Sequence, residues 1–520
     1  MGERNPKWLQ DDYVKFLRFS QWKIQKSGYG IVGMITNHSY LDNPTFRGMR
    51  QSLMKTFDEI YILDLHGNSL KKETTPKGGK DENVFDIRQG VAISLFIKNK
   101  KQKESQVFHS DVYGLRKNKY NWLNKNKFLK DNYEKIQPQS PYYFLVRRKT
   151  ANIQQYLEWK KVNEIFPLNG VGMTTARDDF VIDFDKHKLE NRIRLFKNAK
   201  YDDEELHQFF NINKKKGWDI RKAWNELQSI PDSQLKNFIL PVTYRPFDIR
   251  YIFWHDSVVW RTVKKVMRHM IKEYIGIICN RQIKTKEINQ FWLSNLIVDL
   301  HILETAHASA YFFPLYIYPD KEKRDIFSQS QSGRESNIPQ SLLHKLSNAY
   351  GKKPEPEDIL YYIYGIFYSP SYREKYAEFL RIDFPRVPFT SDYSLFKEMG
   401  KFGKELSDLH LLKSPALDPP VAKYQGKGEN DRIEKMEYRE KEKRLYINKD
   451  KYFEGVDPKV WHYHIGGYQV LYKYLKDRKG REINDAPRYC RIVTALSKTI
   501  EIQEKIDKLY PRVEKKRIQF

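Results

Sequence analysis

The chain has 520 residues, a formal net charge of +27, 40% hydrophobic residues and 14% aromatic residues. The aromatic content excludes global disorder, because disordered chains lack the large side chains whose burial offsets the entropy of ordering, and no apolar run approaches the ~20 residues that span a membrane. The two cysteines, Cys279 and Cys490, are too few for a disulfide framework or a cysteine-based zinc site. No apolar signal segment is visible at the start, which favours a cytoplasmic location.

The excess of basic residues predicts a polyanionic partner, because lysine and arginine side chains that neutralise phosphates release condensed counterions. The alternative is that the charge serves only to keep the protein soluble. Charge alone does not distinguish DNA from RNA, or an enzyme from a scaffold. Nucleic acid is therefore the predicted partner, and its identity depends on the motifs.

The first hundred residues alternate between helical and strand patterns. Residues 11–27 have apolar side chains at helical spacing and stop at Gly28, which predicts a helix. Residues 30–36 form a short apolar run between turn formers, which predicts a buried strand. Asn43 and Pro44 are favoured at the start of a helix, and the apolar residues that follow continue at helical spacing.

Two further buried strands are predicted at residues 59–65 and 90–97, with a polar loop at 69–82 between them and a fourth strand at 107–113. A helical crossover joins the strands at 30–36 and 59–65, so these two are expected to run parallel. The third strand follows a non-helical loop and is compatible with an antiparallel direction. The pattern predicts an α/β fold with half of a doubly wound sheet, whose other half lies elsewhere in the chain or is missing.

The later part of the chain has a different composition. Residues 240–254 are the densest aromatic and basic segment, and 321–337 have the polar composition of a linker. Apolar residues at helical spacing then predict helices at 357–368, 371–380 and 488–509. We therefore expect an α+β region followed by a mostly helical one.

The chain lacks the P-loop pattern G-x-x-x-x-G-K-S/T, the zinc-protease pattern H-E-x-x-H and the nucleophile pattern G-x-S-x-G. The pattern G-x-G-x-x-G occurs at residues 28–33, but there it follows a predicted helix and enters a predicted strand, whereas a dinucleotide-binding loop follows a strand and opens a helix. These observations disfavour an autonomous nucleotide hydrolase or dinucleotide enzyme. Asp81, Glu82 and Asp86 are acidic neighbours, but a solvated loop is favoured over a metal site there, and no metal is predicted.

A group of polar and aromatic side chains follows the first predicted strand, at the carboxyl end where open α/β sheets bind their ligands. Its members are Asn37, His38, Ser39 and Tyr40. This position makes them candidates for an active-site face. The alternative is a simple capping turn, because Asn43 and Pro44 explain much of the segment.

Several segments, taken in order, resemble the single-polypeptide, Type I-like (Type ISP) restriction–modification enzymes, and related Type IIG enzymes more loosely. The segments in the first part read ITNHSYLDNPTFRGMRQSL, FDEIYILDLHGN and DENVFDIRQGVAISLFIK. The later segments are residues 240–254, 266–270, 310–319, 372–389, 409–428 and 464–481. The resemblance covers nearly the whole chain, and several long segments in one order are more specific than a short motif.

The resemblance implies part of an N6-adenine DNA methyltransferase with a Rossmann-like sheet. Under it, residues 1–135 are the C-terminal half of the methyltransferase domain, 136–325 an α+β target-recognition domain and 326–520 a mostly helical C-terminal domain. The three predicted strands before residue 100 would be the last of that sheet, with the final one antiparallel.

The family uses S-adenosylmethionine and a catalytic Asp/Asn-Pro-Pro-aromatic tetrapeptide, and its pattern places the cofactor loop and the tetrapeptide upstream of these segments. Asp418-Pro419-Pro420 only imitates the tetrapeptide, because Val421 replaces the aromatic residue and no buried strand precedes it. No catalytic residue is therefore assigned, and the isolated chain is expected to bind double-stranded DNA without methylating it. The resemblance also implies a missing N-terminal methyltransferase half as partner, in the same polypeptide or as a split subunit.

Enzymes of this superfamily flip the target adenine out of the duplex and read it in a pocket. Phe85, in the segment Asn83-Val84-Phe85-Asp86, matches the aromatic residue that stacks on the flipped base. The alternative for Phe85 is ordinary core packing.

The resemblance assigns DNA reading to the middle of the chain, where residues 172–178 look like the G-x-x-T-x-R-D turn of related recognition domains. Arginine can bind guanine or phosphate with two hydrogen bonds, whereas lysine mostly meets phosphate. The candidate contacts are Thr174, Arg177, Arg245, Arg250, Arg261, Lys264, Lys265, Arg268 and Arg281. For each of them the alternative is a solvated charge or an internal ion pair.

Three hypotheses remain open at the level of sequence. The chain is part of a restriction–modification enzyme as described, or a stand-alone DNA-specificity subunit without catalysis, or a basic RNA-binding protein with a degenerate methyltransferase fold. Preference for single-stranded RNA over duplex DNA at fixed salt would favour the third.

Overall fold

The computed structural model describes residues 6–70, 73–99, 104–126, 130–148, 152–214, 217–271, 275–285, 287–304, 308–318 and 334–520. The chain divides into two compact units, unit one (residues 1–152) and unit two (153–520). The sequence predicts three domains, with boundaries after residues 135 and 325, whereas the structure groups the second and third in one unit. Most of the predicted linker at 321–337 lies outside the described residues.

Unit one is built on a five-stranded sheet with the order β1-β3-β2-β4-β5. Its strands are β1 (Gly30–Asn37), β2 (Glu59–Asp64), β3 (Val91–Lys98), β4 (Gln106–Asp111) and β5 (Glu134–Ile136). Its α-helices are α1 (Asp12–Ser27), α2 (Arg47–Thr56) and α3 (Arg116–Lys125). The predicted helix at 11–27 and the four predicted strands are confirmed, with ends that differ by a few residues.

The strand directions in unit one follow the predicted pattern. β3 lies between β1 and β2 and is antiparallel to both, so β1 and β2 run in the same direction. β4 is parallel to β2 and continues the sheet on its other side. The carboxyl ends of β1, β2 and β4 therefore meet at one edge of the sheet.

The core of unit one lies between the helices and one face of the sheet. α1 contributes Val14 and Leu17, α2 contributes Leu53, and the strands contribute Ile60 and Phe96, all of them buried. Gly28 ends α1 with φ of 79°, a left-handed conformation that glycine adopts without steric cost.

The opposite face of β1 is exposed, and the prediction of a fully buried first strand is therefore wrong. Ile31 and Ile35 are 66% and 56% exposed, because side chains alternate along a strand and no described element covers this side. Apolar composition alone does not show which of two faces a core will cover.

Unit two combines many short strands with helices. In its first part the elements are α4 (Ile153–Leu157), β6 (Lys160–Lys161), α5 (Val162–Ile165), β7 (Gly170–Val171), α6 (Asp178–Val181), β8 (Ile182–Asp183), α7 (Lys186–Asn198), α8 (Asp203–Phe209), α9 (Ile220–Gln228), β9 (Ile239–Arg245), β10 (Asp248–Phe253), α10 (Lys264–Met267), β11 (Gly276–Asn280), β12 (Phe291–Ser294), β13 (Ile297–Val298), β14 (Ala310–Pro314) and β15 (Tyr316–Ile317). In its second part they are β16 (Glu335–Ser336), α11 (Gln340–Tyr350), α12 (Pro356–Tyr368), α13 (Pro370–Lys375), α14 (Ala377–Leu380), β17 (Arg386–Val387), α15 (Tyr393–His410), β18 (Lys423–Gly426), β19 (Glu437–Arg439), β20 (Arg444–Tyr446), β21 (Lys451–Glu454), α16 (Pro458–Trp461), β22 (His464–Ile465), β23 (Tyr468–Gln469), α17 (Val470–Lys476) and α18 (Ala486–Lys515).

The strands of unit two form several small sheets. Three have four strands each, with the orders β13-β9-β10-β8, β12-β11-β14-β7 and β18-β21-β20-β19. The aromatic and basic segment at 240–254 is the hairpin of β9 and β10. The third of these sheets lies within the region that the sequence predicts as mostly helical, so that region is a mixture of helices and strands.

Contacts across residue 325 explain why unit two is not divided there. Trp292 of β12 stacks on His410 of α15, with 4.6 Å between the ring centroids. The hydroxyl of Tyr368, at the end of α12, donates to the carbonyl of Phe291 at 3.1 Å. α12 also buries Tyr362 and Tyr364 completely. Separate domains would leave these aromatic faces in water.

The predicted helices of unit two are present with altered ends. α12 and α13 are separated at Ser369, where Pro370 starts the second helix, and a turn at Tyr376 divides the predicted helix at 371–380. α18 extends well beyond the predicted 488–509. None of the described helices is long and apolar enough to cross a membrane.

Candidate functional site

Histidine and carboxylate side chains come together at the carboxyl ends of β1, β2 and β4. These strands run in the same direction, so the residues that follow or end them lie at one edge of the sheet. The members of this strand-end cluster are His38, Asp64, His66, Glu73, His109 and Asp111. All of them belong to unit one, and none is more than about a fifth exposed.

Two histidines of the strand-end cluster are each held by a carboxylate. His38 Nδ1 lies 3.0 Å from Asp64 Oδ1, and His66 Nε2 lies 2.8 Å from Asp111 Oδ1. His38 and Asp64 are each 4% exposed. Hydrogen bonds to a buried carboxylate are strong, and they fix both the tautomer and the orientation of the imidazole ring.

The electrostatics of the cluster favour a protonated His66 beside an ionised Asp111. Burial opposes the charged form of His66, but the hydrogen bond with Asp111 and the nearby Glu73 outweigh it and raise the pKa of His66 to about 10. Burial likewise favours a neutral Asp111, yet the hydrogen bond from His66 dominates and lowers the pKa of this carboxyl to about 2. His109 differs, because burial lowers its pKa, and neither of its ring nitrogens has a hydrogen-bond partner among the described residues.

Gly90 allows the His38 ring to lie against the backbone. A Cβ atom at position 90 would lie 2.3 Å from His38 Cε1, far inside van der Waals contact. The backbone N–H of His38 donates to the carbonyl of Gly90 at 2.9 Å. The glycine that opens the third predicted strand is thus required by this close approach.

The predicted active-site face of Asn37, His38, Ser39 and Tyr40 is only partly present. Asn37 caps the turn, because its Oδ1 accepts from the backbone and hydroxyl of Ser39 at 2.8 and 2.7 Å. Tyr40 is fully buried, and its hydroxyl is 2.6 Å from Ser94 Oγ. Tyr40 therefore packs in the core and not on the candidate active-site face, and only His38 points into the strand-end cluster.

Phe85 lies on a loop of unit one and is 45% exposed. Its backbone N–H is held by Asn83 Oδ1 at 2.9 Å, and its carbonyl accepts from Arg116 Nη2 at 3.0 Å. Ile87 on the same loop is 47% exposed. An exposed aromatic ring on a tethered loop does not fit the core-packing alternative.

Sequence reasoning missed most of the strand-end cluster. Asp64 and Asp111 are the last residues of two apolar strands, and His66 follows the first of them by two positions. Polar residues at the ends of parallel apolar runs are the available signal. Glu73 comes from the following loop, and its approach to His66 is not readable from spacing.

A second group of predicted residues meets in unit two. The backbone of Thr174 pairs with that of Arg261 through two hydrogen bonds of 3.1 and 2.9 Å. Arg261, Lys264 and Lys265 are exposed, and Thr174 is half-buried. These four residues define the 174/261 surface. Lys264 forms an ion pair with Asp256, itself 59% exposed.

Val263 lies inside the 174/261 surface in a strained conformation. Its φ and ψ are 50° and 41°, the left-handed region that a β-branched residue rarely adopts. Such strain persists only where the surroundings impose it, and it is commonest at functional sites. The strained turn places Lys264 and Lys265 immediately after Arg261.

Arg245 and Arg250 are engaged in ion pairs within unit two. Arg245 Nη1 is 2.7 Å from Asp299 Oδ1, and both side chains are nearly buried. Arg250 Nη2 is 2.7 Å from Asp248 Oδ2 and 3.0 Å from Asp477 Oδ2. Both arginines are therefore internal ion pairs, the alternative considered from the sequence, and this corrects their assignment as DNA contacts.

The remaining arginine candidates have mixed positions. Arg177 is 6% exposed, and its guanidinium lies 3.6 Å from the centre of the Trp218 ring. Burial lowers the pKa of Arg177 to about 10. Arg281 Nε is 2.8 Å from Asp383 Oδ1, and Arg268 is half-buried. None of the three matches the exposure of Arg261.

The Asp418-Pro419-Pro420 segment lies in an exposed turn after a short 3-10 helix. The carboxylate of Asp418 is 63% exposed and 3.5 Å from Arg491 Nη2. No strand precedes it, as expected for a segment that only imitates a catalytic tetrapeptide.

The fold is shared with three proteins solved in complex with DNA or a DNA substrate mimic. The DrdV–DNA complex matches with a TM-score of 0.67 at 24% identity, over 96% of this chain and 52% of that one. The ATP-dependent Type ISP restriction–modification enzyme LlaBIII bound to DNA matches with a TM-score of 0.66 at 22% identity, over 97% and 34%. A nuclease-deletion mutant of the Type ISP enzyme LlaGI, in complex with a DNA substrate mimic, matches with a TM-score of 0.63 at 20% identity, over 96% and 40%.

These likenesses show a shared fold, and the chain spans between 34% and 52% of the length of those three proteins. The model of the Type ISP C-terminal specificity domain matches residues 164–505. The chain belongs to this family, and the predicted resemblance to Type ISP enzymes is confirmed. No curated protein matches the sequence.

Proposed function

We propose that the chain supplies DNA recognition, together with the closing part of an N6-adenine methyltransferase domain, in a Type ISP restriction–modification enzyme. The observation that carries DNA recognition is the 174/261 surface. There Thr174, Arg261 and two lysines are brought together in a chain with a net charge of +27. Exposed cations next to a structured turn suit a phosphate backbone, which the basic side chains neutralise with release of counterions.

The sheet of unit one supports the methyltransferase part of the proposal. β3 is the last of the three strands that the family resemblance assigns to the end of a methyltransferase sheet, and it is antiparallel to both of its neighbours. The carboxyl ends of the parallel strands are where open α/β sheets bind ligands.

An apolar surface of unit one suits the missing N-terminal half as partner. β1 is at the edge of the sheet, and no described strand pairs with its outer side. Ile31 and Ile35 are exposed on β1, and Phe16, Phe19 and Trp22 are exposed on α1. Exposed apolar side chains beside an open strand edge are a feature that folded proteins normally cover. We propose that the missing half, in the same polypeptide or as a split subunit, covers it.

S-adenosylmethionine is the proposed methyl donor of the whole enzyme. The described residues do not fit a complete binding site for it, because the sheet is open at β1, where the family pattern places further strands and the cofactor loop. No step of methyl transfer is therefore assigned to residues of this chain. Phe85 remains the proposed stacking partner of the flipped adenine, supported by its exposure on a tethered loop.

The test of DNA recognition is binding of the full chain to a mixed-sequence duplex, measured by fluorescence anisotropy at several salt concentrations. We expect a variant with Arg261→Ala, Lys264→Ala and Lys265→Ala to bind more weakly. The dependence of log affinity on log salt should flatten by ~0.9 for each lost phosphate contact. Lys435→Ala, at an exposed position on the loop between β18 and β19, is the matched control. Equal salt slopes in all proteins would place the DNA contacts elsewhere.

Binding and methyl-transfer measurements together separate this proposal from the RNA-binding and specificity-subunit hypotheses. Tighter binding to single-stranded RNA than to duplex at equal salt would replace the proposal by the RNA-binding hypothesis. Transfer of labelled methyl groups to DNA by the isolated chain would contradict the assignment of catalysis to the missing half. If the chain is part of a methyltransferase, adding a polypeptide with the N-terminal half should restore methyl transfer. If the chain is a stand-alone specificity subunit, the same addition should give no methyl transfer.

A further inference from the structure

Three ligand atoms of the strand-end cluster face one another without a hydrogen bond between them. Glu73 Oε1 lies 4.0 Å from His38 Nε2 and 4.0 Å from His66 Nδ1. The three atoms all lie within 4.8 Å of one another. The two imidazole rings are nearly perpendicular, at 87°, so their nitrogens approach the same space from different directions.

The other ring nitrogen of each histidine is already committed to a carboxylate. His38 presents Nδ1 to Asp64, and His66 presents Nε2 to Asp111. This arrangement is the one that metal-binding histidines show, in which a carboxylate holds the far side of the ring and raises the basicity of the ligating nitrogen. Two independent copies of it converge here.

The charges of the strand-end cluster also favour a bound cation. Asp64, Glu73 and Asp111 bring three carboxylates into a space that is four-fifths or more buried. Arg147 pairs with the outer side of Asp111 at 2.6 Å. A cation between Glu73 and the histidines would compensate carboxylate charge that burial makes costly.

We propose that His38 Nε2, His66 Nδ1 and Glu73 Oε1 bind a divalent transition-metal ion, with Asp64 and Asp111 as the carboxylates that orient the two histidines. Two imidazoles and one carboxylate are a ligand set that suits zinc, and three protein ligands leave a fourth position for water or another group. Magnesium and calcium prefer sites made of oxygen atoms alone.

To bind an ion, the three ligand atoms must move closer together, and the ion must replace one amide contact and one proton. Ligand atoms lie about 3.4 Å apart in a tetrahedral site with bonds of ~2.0–2.1 Å. The two histidine nitrogens, which lie within 4.8 Å of each other, must adjust to this spacing. Glu73 Oε1, now 4.0 Å from each nitrogen, must come closer to both by about 0.6 Å. Its carboxylate lies on a loop and is 20% exposed, which permits this movement. The ion would also displace the Asn68 amide, now 3.2 Å from His38 Nε2, and take the place of one proton on His66.

The test is calorimetric titration of the full chain, freed of metal by chelation, with zinc chloride and separately with magnesium chloride. We expect one zinc ion per chain to bind saturably at this site and no comparable binding of magnesium. Replacement of zinc by cobalt should give a visible absorption band of a low-symmetry site with nitrogen and oxygen ligands.

Variants locate the ion. Glu73→Gln and His66→Gln should weaken zinc binding by more than 100-fold, whereas His187→Gln, at an exposed histidine of α7, should leave it unchanged. Asp64→Asn should weaken it by ~10–100-fold, the usual effect of losing a carboxylate behind a ligating histidine. Unfolding in chelator shows whether each variant remains folded, and the wild-type cobalt spectrum tests the site without any substitution.

Absence of saturable zinc binding by the wild type would overturn the proposal. So would equal zinc affinity in Glu73→Gln, His66→Gln and His187→Gln. Duplex binding through the 174/261 surface does not involve these residues, so failure of the metal site and failure of DNA recognition are separate results.

Discussion

Arg245 and Asp299 form an ion pair in the interior of unit two, with 2.7 Å between Nη1 and Oδ1 and side-chain exposures of 9% and 6%. Removing one partner would leave the other charge buried without compensation, which typically costs ~3–5 kcal/mol. We therefore expect Asp299→Ala to lower the free energy of unfolding by about this amount. Urea unfolding followed by circular dichroism measures it.

The control is Glu437→Ala, which breaks an ion pair with Arg439 in which both side chains are about half exposed. An exposed pair contributes little to stability, so this variant should unfold almost like the wild type. Similar losses in the two variants would mean that the Arg245–Asp299 pair is not buried as described.

Phe85→Ala is expected to leave duplex binding unchanged and to slow methyl transfer in an enzyme completed with the proposed N-terminal half. Base–aromatic stacking is worth ~1–3 kcal/mol per base, so transfer should fall by about tenfold or more. Ile87→Ala removes an equally exposed apolar side chain from the same loop and serves as control. Single-turnover methylation that is equally fast in both variants would count against stacking by Phe85.

Ile31→Lys combined with Ile35→Lys is expected to preserve the fold of unit one, because both side chains are already more than half exposed. The two charges should nevertheless block assembly with the proposed N-terminal half and make the isolated chain less prone to associate. Analytical ultracentrifugation of the chain with and without that half measures both effects. Substitution of Lys98, at the end of the paired strand β3, by Ala is the comparison that should leave assembly intact.

The stability of unit two should depend on pH through His410. Burial, with a smaller contribution from the charge of Arg373, lowers the pKa of His410 to about 3. The unfolded chain, with a pKa near ~6.5, therefore binds the proton first. Stability is complete above pH ~6.5 and falls by at most ~1.4 kcal/mol per unit as the pH drops toward ~3.

Urea unfolding between pH 7 and pH 4 tests this dependence. In His410→Gln the loss of stability over this range should be smaller than in the wild type. His344→Gln, at an exposed position of α11, should keep the full dependence. An unchanged slope in His410→Gln would contradict a neutral buried imidazole.

Local pattern was enough to predict α1, α2 and the first four strands of unit one, whereas α3 and β5 were not predicted. Apolar runs and turn formers identify β1, β2 and β3, because these signals lie within a few residues of each other. Which face of β1 is covered depends on the positions of α1 and α2, so the exposure of Ile31 and Ile35 was not readable.

The candidate site shows the same difference between local sequence signals and long-range partners. His38 was identified because it follows a strand, but its partners Asp64 and Glu73 come from other segments. Arg250 looked like a DNA contact in a basic and aromatic run, yet its carboxylate partner Asp477 is 227 positions away. A single sequence does not show which charges will neutralise each other inside the fold.

The buried tyrosines of α12 affect the ultraviolet absorbance of the protein in alkaline solution. Tyr362, Tyr364 and Tyr368 are buried with their hydroxyls in hydrogen bonds, and burial raises the pKa of each well above that of a free phenol. In alkaline solution the phenols of surface residues ionise first, and these three ionise only when unit two opens. Other buried tyrosines of the chain, such as Tyr40 and Tyr489, also have a raised pKa, so a late rise of phenolate absorbance marks the point at which the buried cores admit water.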